Sequence, residues 1–220
     1  MRNDFLAHHG IPGQKWGVRN GPPYPLTSTK LASTIHKHAV KNEPKITKDI
    51  TEAANKAGSK MYGLEHKLKT RESTARKIRT DAEEKRISEF ESAANIKDAV
   101  RYTTLTPDDS FVSAYNKFKD TLSDKGYTET RCKNYFEMYK EGKVKHKSVQ
   151  SVFKSPDGYL FEVQFQTPSS QKAKDKKVPI YEERRKPGLS KERQLELEKQ
   201  MEDLAKQVTE PKDISKIKSH

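Results

Sequence analysis

The sequence predicts an α+β domain, and three observations predict it. Residues 145–167, KHKSVQSVFKSPDGYLFEVQFQT, are two alternating apolar runs joined by Ser155-Pro156-Asp157-Gly158, the pattern of a β-hairpin or of adjacent antiparallel strands. Ile50, Ala54, Ala57, Met61, Leu64 and Leu68 recur at spacings of four and three and lay one apolar stripe along a helix. A chain of 220 residues with 31% hydrophobic and 34% charged residues has room for one full-sized core with extensions, but not for core throughout.

Taken in order, residues 1–26 hold four glycines and four prolines, which forbids a long helix or a central strand. Phe5, Leu6, Ile11, Trp16, Val18, Tyr24 and Leu26 nevertheless supply more apolar anchors than a spacer needs. Two readings stand: an arm folded back on the domain or a neighbouring subunit, and a docking or processing peptide. His8 and His9 have no nearby carboxylate except Asp4, so no metal site is expected there. Residues 27–46 are polar and basic and read as a linker with room for a short helix. The domain proper is expected over 47–186, with Thr47 capping its first helix.

Over 67–79, KLKTRESTARKIR, a helix would put Lys69, Arg76 and either Lys77 or Arg79 on one basic side. The Thr70-Arg71-Glu72-Ser73-Thr74 segment could equally be a phosphate-binding turn entering a helix. Residues 81–91 continue as a charged helix anchored by Ile87 and Phe90. Residues 95–103 end that helix and start a short strand with Asp98 at its entrance. A carboxylate there can hold Mg²⁺ through oxygen, or can form a turn and pair with Arg101. Pro107-Asp108-Asp109 opens a helix with Phe111, Val112, Tyr115, Phe118 and Leu122 as its apolar members, ended by Gly126. Residues 127–134 alternate as a strand with Arg131 and Lys133 on the same side, and 135–141 are too short and mixed to assign.

The second arm of the hairpin sets Phe161, Val163 and Phe165 on one face and Leu160, Glu162, Gln164 and Gln166 on the other. Glu162 is thus a mid-strand carboxylate that either faces solvent on a half-exposed sheet or is held in a cleft. A polar helix follows Pro168 and is expected to break at Pro179. An amphipathic helix over 187–210, with Leu197, Met201, Leu204 and Val208 on one face, and a frayed basic tail over 211–220 complete the chain.

The formal charge of +13 implies an anionic partner: nucleic acid, nucleotide phosphates or an acidic protein surface. Cys132 is alone, which excludes an intrachain disulfide framework and a cysteine-rich zinc site. No run is long enough to cross a bilayer and residues 1–26 lack a signal-peptide core, so a soluble, intracellular protein without a membrane partner is expected. The motifs GxxxxGK(S/T), HExxH, GxSxG and GxGxxG do not occur, which weighs against phosphate-loop ATPases, zinc peptidases, serine hydrolases and dinucleotide enzymes. The most economical site pairs Asp98 and Glu162 on neighbouring strands among Lys69, Arg76, Lys77, Arg131, Lys133 and Lys147. Two carboxylates for one divalent ion, ringed by cations, suit transfer of a phosphoryl, pyrophosphoryl or nucleotidyl group, and leave a nuclease open.

Two resemblances add to this reading. AHHGIPGQKWGVRNGPPYPL (7–26) resembles the HG(I/L)xGQKWGxRNGPPYPL peptide of phage and prophage head proteins, which implies a phage origin, contact with head or capsid proteins through residues 5–26, and residence in the host cytoplasm, the particle or both. LKTRESTARKI (68–78), KDAVRYT (97–103), KHKSVQSV (145–152), FEVQFQT (161–167) and PIYEERR (179–185) resemble, in order, the motifs of RelA/SpoT-like alarmone synthetases. That resemblance implies a mixed β-sheet flanked by helices, and transfer of the ATP β,γ-pyrophosphate to the ribose 3′-hydroxyl of an acceptor nucleotide. It implies that Asp98 and Glu162 hold Mg²⁺, that Glu162 lies near the attacking hydroxyl, and that Lys69, Arg76 and Lys77 hold ATP phosphates. His146 and Gln150 stand where the family has its stacking tyrosine and a histidine, and Gln166 replaces an arginine. Either the substrate has changed or catalysis has gone, in which case the chain is a head-associated interaction protein. A basic nucleic-acid-binding protein is the third reading.

Overall fold

The structure is a computed structural model and describes residues 27–186 and 188–220. The arm peptide of residues 1–26 lies outside the described residues. Helix α1 (Ser28–Lys56) runs for 29 residues and buries Leu31, Ile35, Ala39, Ile46, Ile50 and Ala53 along one face. The apolar stripe therefore starts at Leu31, and the linker expected over 27–46 is helix. Its lysines and histidines had masked the pattern, and Pro44 sits inside the helix, where it costs one backbone hydrogen bond. Thr47, expected as a cap, lies in mid-helix, and its hydroxyl hydrogen-bonds the Tyr102 hydroxyl at 2.8 Å. The helix stops before Gly58, whose φ of +71° suits glycine. Met61, Leu64 and Leu68 thus leave the expected helix for strand β1 (Lys60–Tyr62), a 3₁₀ turn (Leu64–His66) and an isolated bridge from Leu68 to Val100.

Thr70 caps α2 (Arg71–Lys85), its hydroxyl accepting from the Ser73 amide. The helix expected to continue over 81–91 is broken by Arg86, at φ +53°, and restarts as α3 (Glu89–Ala94) after its own cap, Ser88. Of the two expected anchors, Ile87 is half-buried and Phe90 exposed. The chain continues through β2 (Arg101–Leu105), α4 (Phe111–Ser123), β3 (Thr128–Asn134), α5 (Tyr135–Lys140), β4 (Val149–Lys154), β5 (Leu160–Gln166), α6 (Pro168–Arg184) and α7 (Lys191–Lys206). The Thr167–Ser170 capping box fixes the start of α6, which runs unbroken through Pro179, contrary to the expected interruption.

The five strands form one mixed sheet in the order β1-β2-β5-β4-β3, parallel between β2 and β5 and antiparallel elsewhere. The β4–β5 hairpin turns through Ser155–Gly158 as the sequence implies, with the Ser155 amide donating to the Tyr159 carbonyl and Gly158 at φ +85°. Phe161, Val163 and Phe165 face the core, where Phe165 meets Tyr115 and Phe118 of α4 edge-on at 5.0 Å each. Helices α1 and α4 cover this face, and α6 lies over part of the other with α7 packed on it.

The tail is docked, not frayed. Ile214 and Ile217 are buried, Asn134 Nδ2 donates to both of their carbonyls at 2.9 Å, and His220 and Cys132 exchange two backbone hydrogen bonds at 3.0 Å. Apolar residues at a spacing of three and a free strand edge explain why a basic decapeptide is ordered. No helix among the described residues is long and apolar enough to cross a membrane.

Candidate functional site

The strand register decides which side chains share the uncovered face of the sheet. Tyr62, Thr103, Gln164, Gln150 and Lys133 are partners in one row across all five strands, and Arg101, Glu162, Val152 and Arg131 form the next row. Arg131 and Lys133 therefore share a side, and Glu162 has Arg101 as its direct cross-strand neighbour. Its Oε1 accepts from Gln164 Nε2 at 2.6 Å.

Asp98 is set by a short antiparallel pairing of 67–69 with 99–101. The Lys69 amide donates to the Ala99 carbonyl at 3.0 Å and the Arg101 amide to the Lys67 carbonyl at 2.8 Å. That pairing brings Lys69 beside Asp98, and Lys77, two turns into α2, reaches the same carboxylate. The Asp98 oxygens take one ammonium each, Lys69 at 2.7 Å and Lys77 at 3.1 Å. Burial pushes the Asp98 carboxyl up, but the two ammonium groups outweigh it and hold the carboxyl below the usual aspartate range. Arg76, by contrast, is exposed on α2 and makes no ion pair among the described residues.

A cavity of about 750 Å³ opens between the uncovered sheet face, the 143–148 segment and α6 and α7. Arg101, His146, Lys147, Gln150, Lys174 and Lys177 all line it. Three of its ammonium groups bond neutral oxygens: Lys174 to Gln164 Oε1 at 2.5 Å, Lys177 to the Lys145 carbonyl at 2.6 Å and Lys147 to the Val208 carbonyl at 3.0 Å. Lys147 also lies over the Tyr139 ring, 4.6 Å from its centroid. The cavity's carboxylates, Glu182 and Glu198, are paired with Arg185 and with Arg184 and Lys145. Burial pulls Lys177 down to about 8, with the Lys147 charge adding to the effect. Burial, then Lys177 and Lys174, pull His146 down to about 4, so it is neutral at pH 7. Its ring lies 4.2 Å from that of Tyr135.

Two groups of expected residues thus come together. Asp98 joins Lys69 and Lys77, while His146, Lys147 and Gln150 join around the cavity. Arg131 lies on the Glu162 row with its Nε buried and unpartnered. Sequence reasoning missed Lys174, Lys177, Tyr135 and the site-facing role of Arg101. The signal for Lys177 was its position: Ser170, Ala173 and Lys177 recur at three and four on the inward face of α6, where lysine is out of place unless it has a task, whereas Lys174 is exposed and carried no such signal.

The mixed strand order with helices on both faces is an α+β fold shared with a solved alarmone synthetase structure. A crystal structure of small alarmone synthetase 1 from Bacillus subtilis superposes with a TM-score of 0.50 at 16% identity, over 79% of this chain and 88% of that one. A GTP pyrophosphokinase family protein from Streptococcus pneumoniae gives 0.45 at 13% identity, over 80% and 84% of the two chains. The type VI effector Tas1, in complex with its immunity protein, gives 0.48 at 17%, over 81% and 98%. At 16% identity the likeness to the Bacillus subtilis structure shows the fold alone. No family model and no curated protein sequence matches the chain.

Proposed function

We propose that the chain binds a nucleotide polyphosphate on the uncovered sheet face and transfers the β,γ-pyrophosphoryl group of ATP to a hydroxyl of a nucleotide or an RNA end. The observation that carries this reading is the set of three ammonium groups in one cavity with neutral oxygens as their bonding partners. Lys177 is buried, Lys147 half-buried and Lys174 exposed at the cavity mouth, and a buried cation without a carboxylate is costly unless an anion completes it. Ser148 Oγ, buried beside them without a partner, is one more group left for a ligand.

In this reading Lys69 and Lys77 turn from Asp98 to the phosphate oxygens and leave the carboxylate free. Glu162, beside Arg101, takes the proton of the attacking hydroxyl as its oxygen bonds to the β-phosphorus; the bond from that phosphorus to the α-phosphate bridge breaks and AMP leaves. Arg101 and Lys174 offset the charge that spreads over the transferred group. Mg²⁺ needs only one or two carboxylates when phosphate and water complete its shell, so Asp98 and Glu162 suit it in kind. Both Asp98 oxygens are held by ammonium groups, and among the described residues no cluster of three or more metal-binding side chains exists. The fit therefore depends on the nucleotide: Asp98 and Glu162 would hold the ion, which would supply neutralisation of the charge that develops on the phosphates. Calorimetry should detect Mg²⁺ binding with a non-hydrolysable ATP analogue present and none without it.

Incubation with radiolabelled ATP, Mg²⁺ and a panel of nucleotides and RNA ends, read by mass spectrometry, should give a product carrying two additional phosphates that Glu162→Gln abolishes. Absence of product with every acceptor refutes the enzymatic reading. A non-catalytic interaction protein is favoured by one observation, the occupation of both Asp98 oxygens by Lys69 and Lys77. The phage-like peptide supports particle association in either case, and mass spectrometry of purified particles tests it.

A further inference from the structure

Helix α1 carries a charge pattern that the candidate site does not use. Lys30, Lys37, Lys41, Lys45 and Lys48 follow one another at seven, four, four and three residues, and all five are exposed. At about 100° per residue they fall within about 80° of one direction on the helix, in a stripe about 27 Å long. The helix's carboxylates have lysine partners outside the stripe: Glu43 meets Lys67, Asp49 meets Lys125, and Glu52, one turn beyond Lys48 in the same direction, meets Lys125 and Lys56. Within the stripe, and among the described residues, Lys45 alone has an ion-pair partner, Asp157 at 3.2 Å, in a pair whose two side chains are 62% and 69% exposed. Like charges four residues apart destabilise a helix, so an ordinary solvated face intersperses the two signs.

A second cleft, of about 1080 Å³, opens at one flank of the stripe and is lined by two of its five lysines. Lys41 and Lys45 reach it from α1, Lys97 from the loop after α3 and Lys154 from the end of β4. Lys41, Lys97 and Lys154 make no ion pair among the described residues, and Asp157 is the one carboxylate in the lining. Between the lysines the lining is mixed, with half-buried Tyr159 and Leu160 beside polar Asn42, Thr130 and Ser155.

We propose that the α1 stripe and this cleft bind single-stranded nucleic acid. Successive lysines rise by about 6 Å between Lys37, Lys41 and Lys45, comparable with the spacing of phosphates along an extended strand. A cleft with cations on its rim and a tyrosine and aliphatic groups in its lining takes backbone and unstacked bases together. A duplex offers its phosphates but keeps its bases stacked, and an acidic peptide has no flat rings for the lining. The inference does not depend on pyrophosphoryl transfer, because none of the stripe lysines belongs to the candidate catalytic site.

The test is fluorescence anisotropy of the full chain with a labelled single-stranded 15-nucleotide RNA between 50 and 300 mM NaCl. Five or six phosphate contacts predict a log–log salt slope of about −3 to −4 for a single strand. The triple variant Lys37→Glu, Lys41→Glu, Lys48→Glu should lose at least tenfold in affinity and flatten the slope by about two units, while Lys117→Gln, at an exposed lysine of α4 outside both clefts, binds as wild type. The corresponding triple Gln variant should show a smaller loss in the same direction, and it keeps the result readable should the Glu variant unfold by circular dichroism. Absence of binding at 50 mM salt, wild-type affinity in a folded triple variant, or tighter binding to a 15-base-pair duplex or to polyglutamate overturns the proposal.

Discussion

Lys177→Met should lose stability relative to the wild type as pH rises from 7 into alkali. Lys177 is 5% exposed and its ammonium bonds the Lys145 carbonyl, with no carboxylate to compensate it. Its folded value near 8 lies below the ordinary 10.5. Between those values the unfolded chain holds a proton that the folded chain has released, so wild-type stability rises with pH across the window. Below about 8 both states are protonated and the penalty is complete. The displacement corresponds to about 3 kcal/mol, and about 2 after allowance for residual screening by solvent. Methionine has similar volume and no charge, but it leaves the Lys145 carbonyl without its donor, an offset of about 1 to 3 kcal/mol that does not vary with pH. The diagnostic quantity is therefore the pH dependence of the difference. Urea denaturation of both proteins at pH 7 and pH 10.5 should show the wild type gaining about 2 to 3 kcal/mol on the variant as pH rises. A difference that stays flat within about 1 kcal/mol would mean that Lys177 is not a buried, uncompensated cation. Inorganic pyrophosphate at pH 7 should stabilise the wild type more than the variant, because it supplies the missing anion.

Asp98→Asn strands Lys69 and Lys77 without their carboxylate and should cost about 3 kcal/mol at pH 7 by urea denaturation. Because the folded Asp98 value is depressed, that contribution is present above the ordinary aspartate range and is lost as pH falls through the folded value, so the two proteins should converge in acid. Phe165→Ala removes a ring that meets Tyr115 and Phe118 and should cost about 3 to 5 kcal/mol in the same assay. Deleting residues 211–220 uncovers the β3 edge and the surface under Ile214 and Ile217; size-exclusion chromatography should show self-association, with about 3 kcal/mol of lost stability.

The sequence made legible whatever rested on strict periodicity. Phe161, Val163 and Phe165 alternate without a fault and sit in the core, and Ser155–Gly158 turns where its residue types require. The failures share a cause: polar residues masking a regular element. Lysines and Pro44 concealed the first half of α1, although Leu31, Ile35 and Ala39 already carried its stripe. The tail was read from its lysines, whereas Ile214 and Ile217 and the unpaired β3 edge decide its place. The candidate site was half legible. Asp98, Lys69 and Lys77 could be grouped because 67–69 and 99–101 pair next to them in space, but Lys174 and Lys177 come from a helix whose role as a cavity wall depends on packing that no local pattern encodes.

Glu162 shows why that packing matters. The sequence left two alternatives for a mid-strand carboxylate, solvent on a half-exposed sheet or a cleft. The register combines them: Glu162 is half-buried, has Arg101 across the parallel pair and is held by Gln164. Gln164 in turn accepts from Lys174, so one amide spans the carboxylate and the cavity's cation. An amide suits that position because it donates on one side and accepts on the other, and neither a carboxylate nor an ammonium could do both. An anion that draws Lys174 away releases the acceptor end of Gln164 while leaving its donor end on Glu162. Occupancy of the cavity and the setting of the carboxylate are therefore joined through a single side chain, on a strand whose other face is fixed in the core by Phe161, Val163 and Phe165.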